Sequence, residues 1–504
     1  MHLPHSATTG TVTVVRFTDD LRLTDNAALS WAAERGQVVG LFVFQNIPGL
    51  RPLGAAADWW CRRSLSDLGR RLRDRGVPLY IAAGDACDAT LALASRLRES
   101  HEHVAVTWNR RYHLPLREAD ARLKQQLRDA GFEAHSHPGH LLAEPWDVAT
   151  RAGEPFKVFT PYANALQTRL SNTPPTVRSE PRLLGPPVDQ LDLDGTGLQP
   201  IWDANVTAHE PHWAAGTLDK HCMPGEDSAH ARFREFLKAL EHGVSYKELS
   251  DVPADHATSS LSPHLRFGEI SPAYVWSETA LFADRHPSAS ADAWAFLRQL
   301  LWRDFAWHRL YYLPEMAEKN VRSQFDAFPW AWSANADPGA SKSAFAYMDM
   351  EPDEDARQHL DELAAWQKGE TGIPLVDAGM RELWATVTMH NRVRMVVGSW
   401  LTKNLGIHWR HGEEWFWDTL VDADYASNPF NWQWVAGSGD DAAPYFRIFN
   451  PLLQEEKFDP DGLYVNRWVP ERHTPLYPEP MVDVKESRKT ALAAYNDIRR
   501  GAKD

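Results

Sequence analysis

An open parallel α/β sheet followed by an all-helical unit is the fold this sequence predicts. Three observations carry the prediction: short β-branched runs alternate with amphipathic stretches near the N-terminus, a proline-dense stretch follows, and the strand signal then vanishes after about residue 225. The runs TVTVVRF (11–17), VVGLFVF (38–44), PLYIAAG (78–84) and HVAVTW (103–108) are apolar without alternation, as strands buried on both faces require. Between them lie stretches such as DWWCRRSLSDLGRRLRDRG, ending at Gly76, and LREADARLKQQLRDAG, ending at Gly131. Glycine just past a helix supplies a left-handed cap. Repeated strand-helix units predict a parallel sheet with right-handed crossovers. No GxGxxG loop follows the first strand, so the dinucleotide fingerprint is absent.

Prolines at 174, 175, 181, 186, 187, 200 and 211 break the alternation, because each removes a helix donor and fixes φ. A surface connector is expected there. SAHARFREFLKALEHG, DAWAFLRQLLWRDFAWHRLYYL and IPLVDAGMRELWATVTMHNRVRMVVGSWLTKNLG then read as helices with broad apolar faces. The expected division is an α/β domain over 1–137, a linker over 138–205, a helical domain over 206–480 and a polar C-terminal tail over 481–504.

With 504 residues, the chain is long enough for two folding units and a large core. Its 43% hydrophobic and 24% charged fractions are those of a soluble globular protein. No eighteen-residue apolar run and no basic-then-apolar leader occur, so a cytoplasmic protein without a membrane anchor is expected. Cys61, Cys87 and Cys222 lie far apart without metal-ligand spacing, which predicts neither a zinc site nor a disulfide scaffold. The formal charge of −15 argues against indiscriminate coating of nucleic acid, yet leaves room for a local basic groove. The 22 tryptophans raise the question of stacking or redox roles.

Chemistry concentrates in the second half. HATSSLSPHLRFGEISP (256–272) sets Thr258, Ser259, Ser260 and Ser262 before a helical run. Hydroxyls and free amides there suit a phosphate, and an ordinary Ser/Thr cap fits the same pattern. LLWRDF (300–305) and MHNRVRM (389–395) place arginines and a tryptophan on helices. DADYASNPFNWQWVAGSGDDAAPYFRIFNP (422–451) mixes acids, amides and indoles without an amphipathic period.

In order and spacing these motifs resemble the photolyase/cryptochrome flavoprotein family, most closely its cyclobutane pyrimidine dimer photolyases. The resemblance covers nearly the whole chain, from VVRFTDDLRLTDNAAL through WNRRYHLP and PFKVFTPY (155–162), and is densest from Thr258 to Pro451. It implies an N-terminal α/β domain, a helical domain holding FAD, and UV-damaged DNA as partner. It assigns FAD contacts to Tyr246, Thr258, Ser259, Ser260, Leu261, Ser262 and Arg303. It places the Arg394–Asp422 pair over the flavin ring, Asp424 at its edge and Asn428 at N5. A neutral amide there can accept from N5–H without delivering a proton, and plant cryptochromes carry aspartate at this position.

By the same resemblance Trp432 and Trp409 relay electrons to the flavin. Gln299, Trp302, Asn391, Met395 and Trp434 form the lesion pocket, with the two indoles gripping a dimer that must leave the stack. The family's (6-4) enzymes carry histidines at the positions of Asn391 and Met395. The single-strand-preferring DASH group reads W-x-Y where this chain has WQW. Arg392, Arg447 and Lys457 match phosphate-contacting positions.

Departures exist. Gln299 stands where dimer enzymes carry glutamate, Thr18-Asp19 replaces a double arginine, and Ala356 stands where a third relay tryptophan is expected. The antenna chromophore is open between a folate, a deazaflavin and none. A light-driven DNA repair lyase, acting as a monomer, is expected. A cryptochrome-type photoreceptor, a (6-4) photolyase-like enzyme and an inactive flavin-binding relative are the alternatives.

Overall fold

The structure is a computed structural model that describes residues 10–186, 193–201, 211, 213, 218–255, 257–331, 354–441 and 446–501. Strand β1 (Thr11–Phe17) runs between β2 (Gly36–Gln45) and β4 (His103–Asn109), with Thr11 opposite Gly36 on one side and His103 on the other. Outside them lie β3 (Leu79–Gly84) and β5 (Glu133–His137), all parallel. The order is β5-β4-β1-β2-β3-β6, and β6 (Gln199–Pro200) closes one edge antiparallel to β3. Alternate β1 side chains feed opposite layers: Val15 and Phe17 pack with Trp59, Trp60 and Leu65, while Val12 and Val14 pack with Leu93, Leu97, Leu123 and Leu127. That double burial is why the strand reads as one unbroken apolar run.

Two elements depart from the sequence expectation here. β5 is the short polar sequence EAHSH at an edge, which carries no strand signal. β6 makes the sheet mixed rather than purely parallel, and its two residues lie in the proline-rich connector.

The connector also contains a helix, Phe159–Asn172, which buries Phe159, Tyr162, Leu166 and Leu170 on one face. The clustered prolines begin at 174, beyond its end, and Pro161 sits in its first turn, where a missing N–H is tolerated.

Helices dominate from Glu226 onward. Those that line the site are Ser290–Tyr312, Asn391–Ser399, Trp409–Thr419 and Ser427–Ala436, with Pro374–Thr386 preceding the second of them in the chain. A π-turn, Trp400–Asn404, continues Asn391–Ser399. The C-terminal tail is itself a helix, Val484–Gly501, packed on the domain: Ile498 and Ala491 are buried, and Tyr495 stacks on Phe446 with centroids 4.5 Å apart. No helix among the described residues is long and apolar enough to cross a membrane.

The two domains are joined by buried polar contacts. Leu23 and Thr24 amides donate to Glu226 (2.7 and 2.9 Å), and Trp60 Nε1 donates to Glu269 (3.1 Å). At Gly54 a Cβ would lie 1.9 Å from the Trp417 carbonyl oxygen, so only glycine admits the helical domain this close.

Candidate active site

Three helices and one loop supply most of the polar lining of a cavity of about 470 Å³ in the helical domain, within the range of small-molecule sites. Helical periodicity selects what faces it. Asn391, Arg394, Met395 and Gly398 follow the i, i+3, i+4, i+7 pattern on one helix, and Gln299, Trp302, Arg303 and Ala306 do so on another. Asn428 and Trp432, one turn apart, come from a third, and residues 258–262 supply the loop.

Inside, acids and bases are paired. Arg394 grips Asp422 with two parallel bonds (2.9 and 3.1 Å), and its Nε donates to the Met389 carbonyl (2.7 Å). A two-pronged pair fixes direction as well as charge. Asp424 accepts from the Ala426 and Ser427 amides (2.8 and 2.5 Å), so it caps helix Ser427–Ala436 while lining the cavity. Arg303 donates to the His140 carbonyl (2.7 Å).

Asn428 is oriented without ambiguity. Its Nδ2 donates to the Glu413 carbonyl (2.9 Å) and to Glu413 Oε1 (2.8 Å). A backbone carbonyl can only accept, so the amide nitrogen faces Glu413 and the side-chain oxygen is left for the cavity.

The aromatic residues are packed from behind. Trp302 stacks face to face on Phe159 (centroids 3.4 Å apart, 6° between planes), and the Arg298 guanidinium lies 4.7 Å from the same Phe159 ring. Trp432 meets Phe416 and Trp366 edge-on, at 5.0 and 6.2 Å. Its ring lies against Gly412, where a Cβ would be 2.1 Å from it.

His390 is not a proton donor in this site. Its Nδ1 accepts from the Arg392 amide (3.2 Å), capping helix Asn391–Ser399, and burial pushes its pKa down to about 4.

Of the residues expected at the site, Gln299, Trp302, Asn391, Met395, Trp432 and Trp434 line the cavity. So do Tyr246, Thr258, Ser259, Leu261, Ser262, Arg303, Arg394, Asp422, Asp424 and Asn428. Gln299 and Asn391 are exposed at its mouth, while Asn428, Asp424 and Trp432 are buried at its floor.

Ser260 does not line it: this residue is exposed and takes a left-handed φ of 50°. The helix after it spans only Ser262–Arg266, far shorter than the run the sequence suggests, so the hydroxyls and not a long helix end face the cavity there. Trp409 is fully buried behind the wall, with Nε1 donating to Asn320 (2.8 Å). Arg447 and Lys457 are exposed and do not line the cavity, whereas Arg392 is already paired with Asp251 (2.5 Å). The acidic stretch through residue 353 lies outside the described residues.

Sequence reasoning missed Glu413, Arg266, Phe159 and Gly412. Arg266 lines the cavity and pairs with Asp19 (2.7 Å), one of the two residues that stand where a double arginine was expected. A glycine inside a helical run was the available signal for Gly412; nothing in the sequence ties Glu413 to Asn428.

The donor set fits a cofactor with phosphates at one end and a flat amide-bearing ring at the other. Hydroxyls of Thr258, Ser259 and Ser262 stand with Arg303, and apolar Leu300, Ala306 and Phe416 line the wall with the Arg394–Asp422 pair and the Asn428 carbonyl. Among the described residues no cluster of His, Cys, Asp or Glu could hold a metal ion.

Comparison with known proteins agrees. Residues 296–475 match the model of the FAD binding domain of DNA photolyase, and residues 13–181 that of DNA photolyase. A deoxyribodipyrimidine photo-lyase of Agrobacterium fabrum is 41% identical over 97% of this chain and 98% of its own. Cryptochrome-2 of Arabidopsis thaliana is 31% identical over 91% of this chain and 70% of its own. A bacterial class III photolyase from Agrobacterium tumefaciens superposes with a TM-score of 0.84 at 39% identity, covering 98% of this chain and 99% of that one.

Proposed function

The chain belongs to the DNA photolyase family, and on that premise we propose that it is a light-driven lyase that repairs cyclobutane pyrimidine dimers in UV-damaged DNA. The observation that carries the reading is convergence: residues spread from Tyr246 to Trp434 meet in one cavity, with polar and ionic groups at its floor and indoles with amides at its mouth. When bound, FAD supplies the chemistry, giving one electron to the dimer under blue light in its reduced form and taking it back after the ring splits.

The protein binds, orients and shields. Tyr246, Thr258, Ser259, Leu261, Ser262 and Arg303 would hold the phosphate and ribityl side, with Ser260 shaping the turn. Arg394 and Asp422 would hold the ring and Asp424 its edge, and the Asn428 carbonyl would be the acceptor for N5–H. Trp302, held flat by Phe159, and Trp434 grip the flipped dimer from the mouth. Gln299 hydrogen-bonds its carbonyls, and Asn391 and Met395 complete the pocket. Trp432, against the cavity, and Trp409 behind it pass electrons inward. Arg447, Lys457 and Arg392 take the DNA backbone.

Among the described residues, none that lines the pocket is a histidine. Asn391 and Met395 do not titrate, and His390 is neutral and spent on a helix cap. This suits splitting of a cyclobutane ring, which needs no proton delivered, and not a lesion whose repair needs one.

Two oligonucleotides test it, one with a cyclobutane dimer and one with a (6-4) photoproduct, each illuminated with FAD-loaded protein. Restoration of the first and not the second is expected. Restoration of the second alone overturns the assignment, and restoration of neither by fully loaded protein favours a photoreceptor.

A further inference from the structure

Arg51 belongs to the N-terminal domain, in the loop between β2 and helix Ala55–Arg73, yet its guanidinium ends inside the helical domain. It meets Glu413 with two parallel bonds, Nη1 to Oε2 at 2.7 Å and Nη2 to Oε1 at 2.6 Å. The Glu413 side chain is 1% exposed. The loop is clasped on every side. Arg51 lies 4.0 Å over the Trp417 ring, Trp417 Nε1 donates to the Pro52 carbonyl (2.8 Å), and the Tyr425 hydroxyl donates to the Arg51 carbonyl (2.9 Å). The oxygen of Glu413 that takes Arg51 Nη2 also takes Asn428 Nδ2, at 2.8 Å.

Resting on the reading of Asn428 at flavin N5 given above, we propose that Arg51 is a positioning residue of the flavin site, acting across the domain boundary through Glu413 to hold and polarise the Asn428 carbonyl. A buried carboxylate stripped of its cation is costly and takes up a proton instead. A protonated Glu413 still accepts from Asn428 Nδ2 through its C=O, and the Glu413 backbone carbonyl keeps its own bond to that nitrogen (2.9 Å), so Asn428 keeps its direction but loses the charge-assisted bond that holds it and polarises its carbonyl. Reduced flavin carries a donor at N5. The Asn428 carbonyl is then a less firmly held and weaker acceptor for that donor, and the reduced form loses stabilisation relative to the oxidised one.

The test is the midpoint potential of bound FAD in the full-length protein. Asn428→Ala is measured first and is expected to lower it; a wild-type potential in that variant defeats the reading of Asn428 and this proposal together. Arg51→Met is expected to shift the potential the same way. In a Glu413→Gln background, adding Arg51→Met is expected to shift it no further, since the carboxylate it acts through is gone.

A merely structural role for Arg51 would lower the melting temperature and flavin content without this pattern. If Arg51→Met does not fold or load flavin, Arg51→Gln, which keeps a donor but no charge, is read instead. A flavin-loaded Arg51 variant with the wild-type potential, alongside a shifted Asn428→Ala, overturns the proposal alone. So does an equal shift from Arg51→Met with and without Glu413.

Discussion

Gln299 is exposed at the mouth of the cavity, three residues from Trp302 on the same helix face. An amide there can donate to a thymine carbonyl but has no acidic proton to share with the charge that develops on the dimer. Gln299→Glu should therefore raise the repair quantum yield. Affinity for the lesion should change little, because the hydrogen-bond count is similar and each neutral bond contributes about 1 kcal/mol net. Repair per absorbed photon, measured beside lesion binding, checks this; an unchanged or lower yield contradicts it. Asn428 and Arg394 were named by the family resemblance, through the motifs that surround them, and both line the cavity. Glu413 and Arg51 were not, since their partnership spans 362 positions and depends on how two domains dock.

At the scale of elements, helix Trp409–Thr419 shows what patterning reads and what it misses. Its apolar face is plain in the sequence, and a glycine at 412 looks like a flaw costing about 1 kcal/mol against alanine. The structure gives the reason: a Cβ at 412 would fall 2.1 to 2.6 Å from three atoms of the buried Trp432 ring. Gly412→Ala should gain helix propensity yet lose more by overpacking, about 1–3 kcal/mol, and should push Trp432 from its place. A lower melting temperature with slowed photoreduction of oxidised FAD is expected. A more stable variant that photoreduces at the wild-type rate would contradict the packing argument. The four central strands were legible for the opposite reason, being buried on both faces. β5 was not, because an edge strand needs little apolar sequence, and the helix Phe159–Asn172 was masked by the prolines that follow it.

Across the whole molecule, a formal charge of −15 must coexist with binding to a polyanion. Arg447 and Lys457 are exposed, while Arg392 is tied to Asp251 (2.5 Å). Arg447→Ala and Lys457→Ala should each lower the slope of log K against log salt for DNA binding by about one, the loss of one released counterion. Arg392→Ala should lower it less, because that charge is already partly neutralised. Equal losses for all three would show that Asp251 lets go when DNA binds. The division into α/β and helical domains was legible from the alternation of strand and helix patterns, its break at the prolines and the loss of the strand signal after them, whereas the packed C-terminal helix was hidden by its polar outer face. The most direct test of light-driven electron donation from this cavity is repair of a dimer-containing oligonucleotide by protein loaded with chemically reduced FAD, split between blue light and darkness. Intact thymines should return in the illuminated half only; equal repair in the dark, or none in light despite bound FAD and bound DNA, would contradict the account.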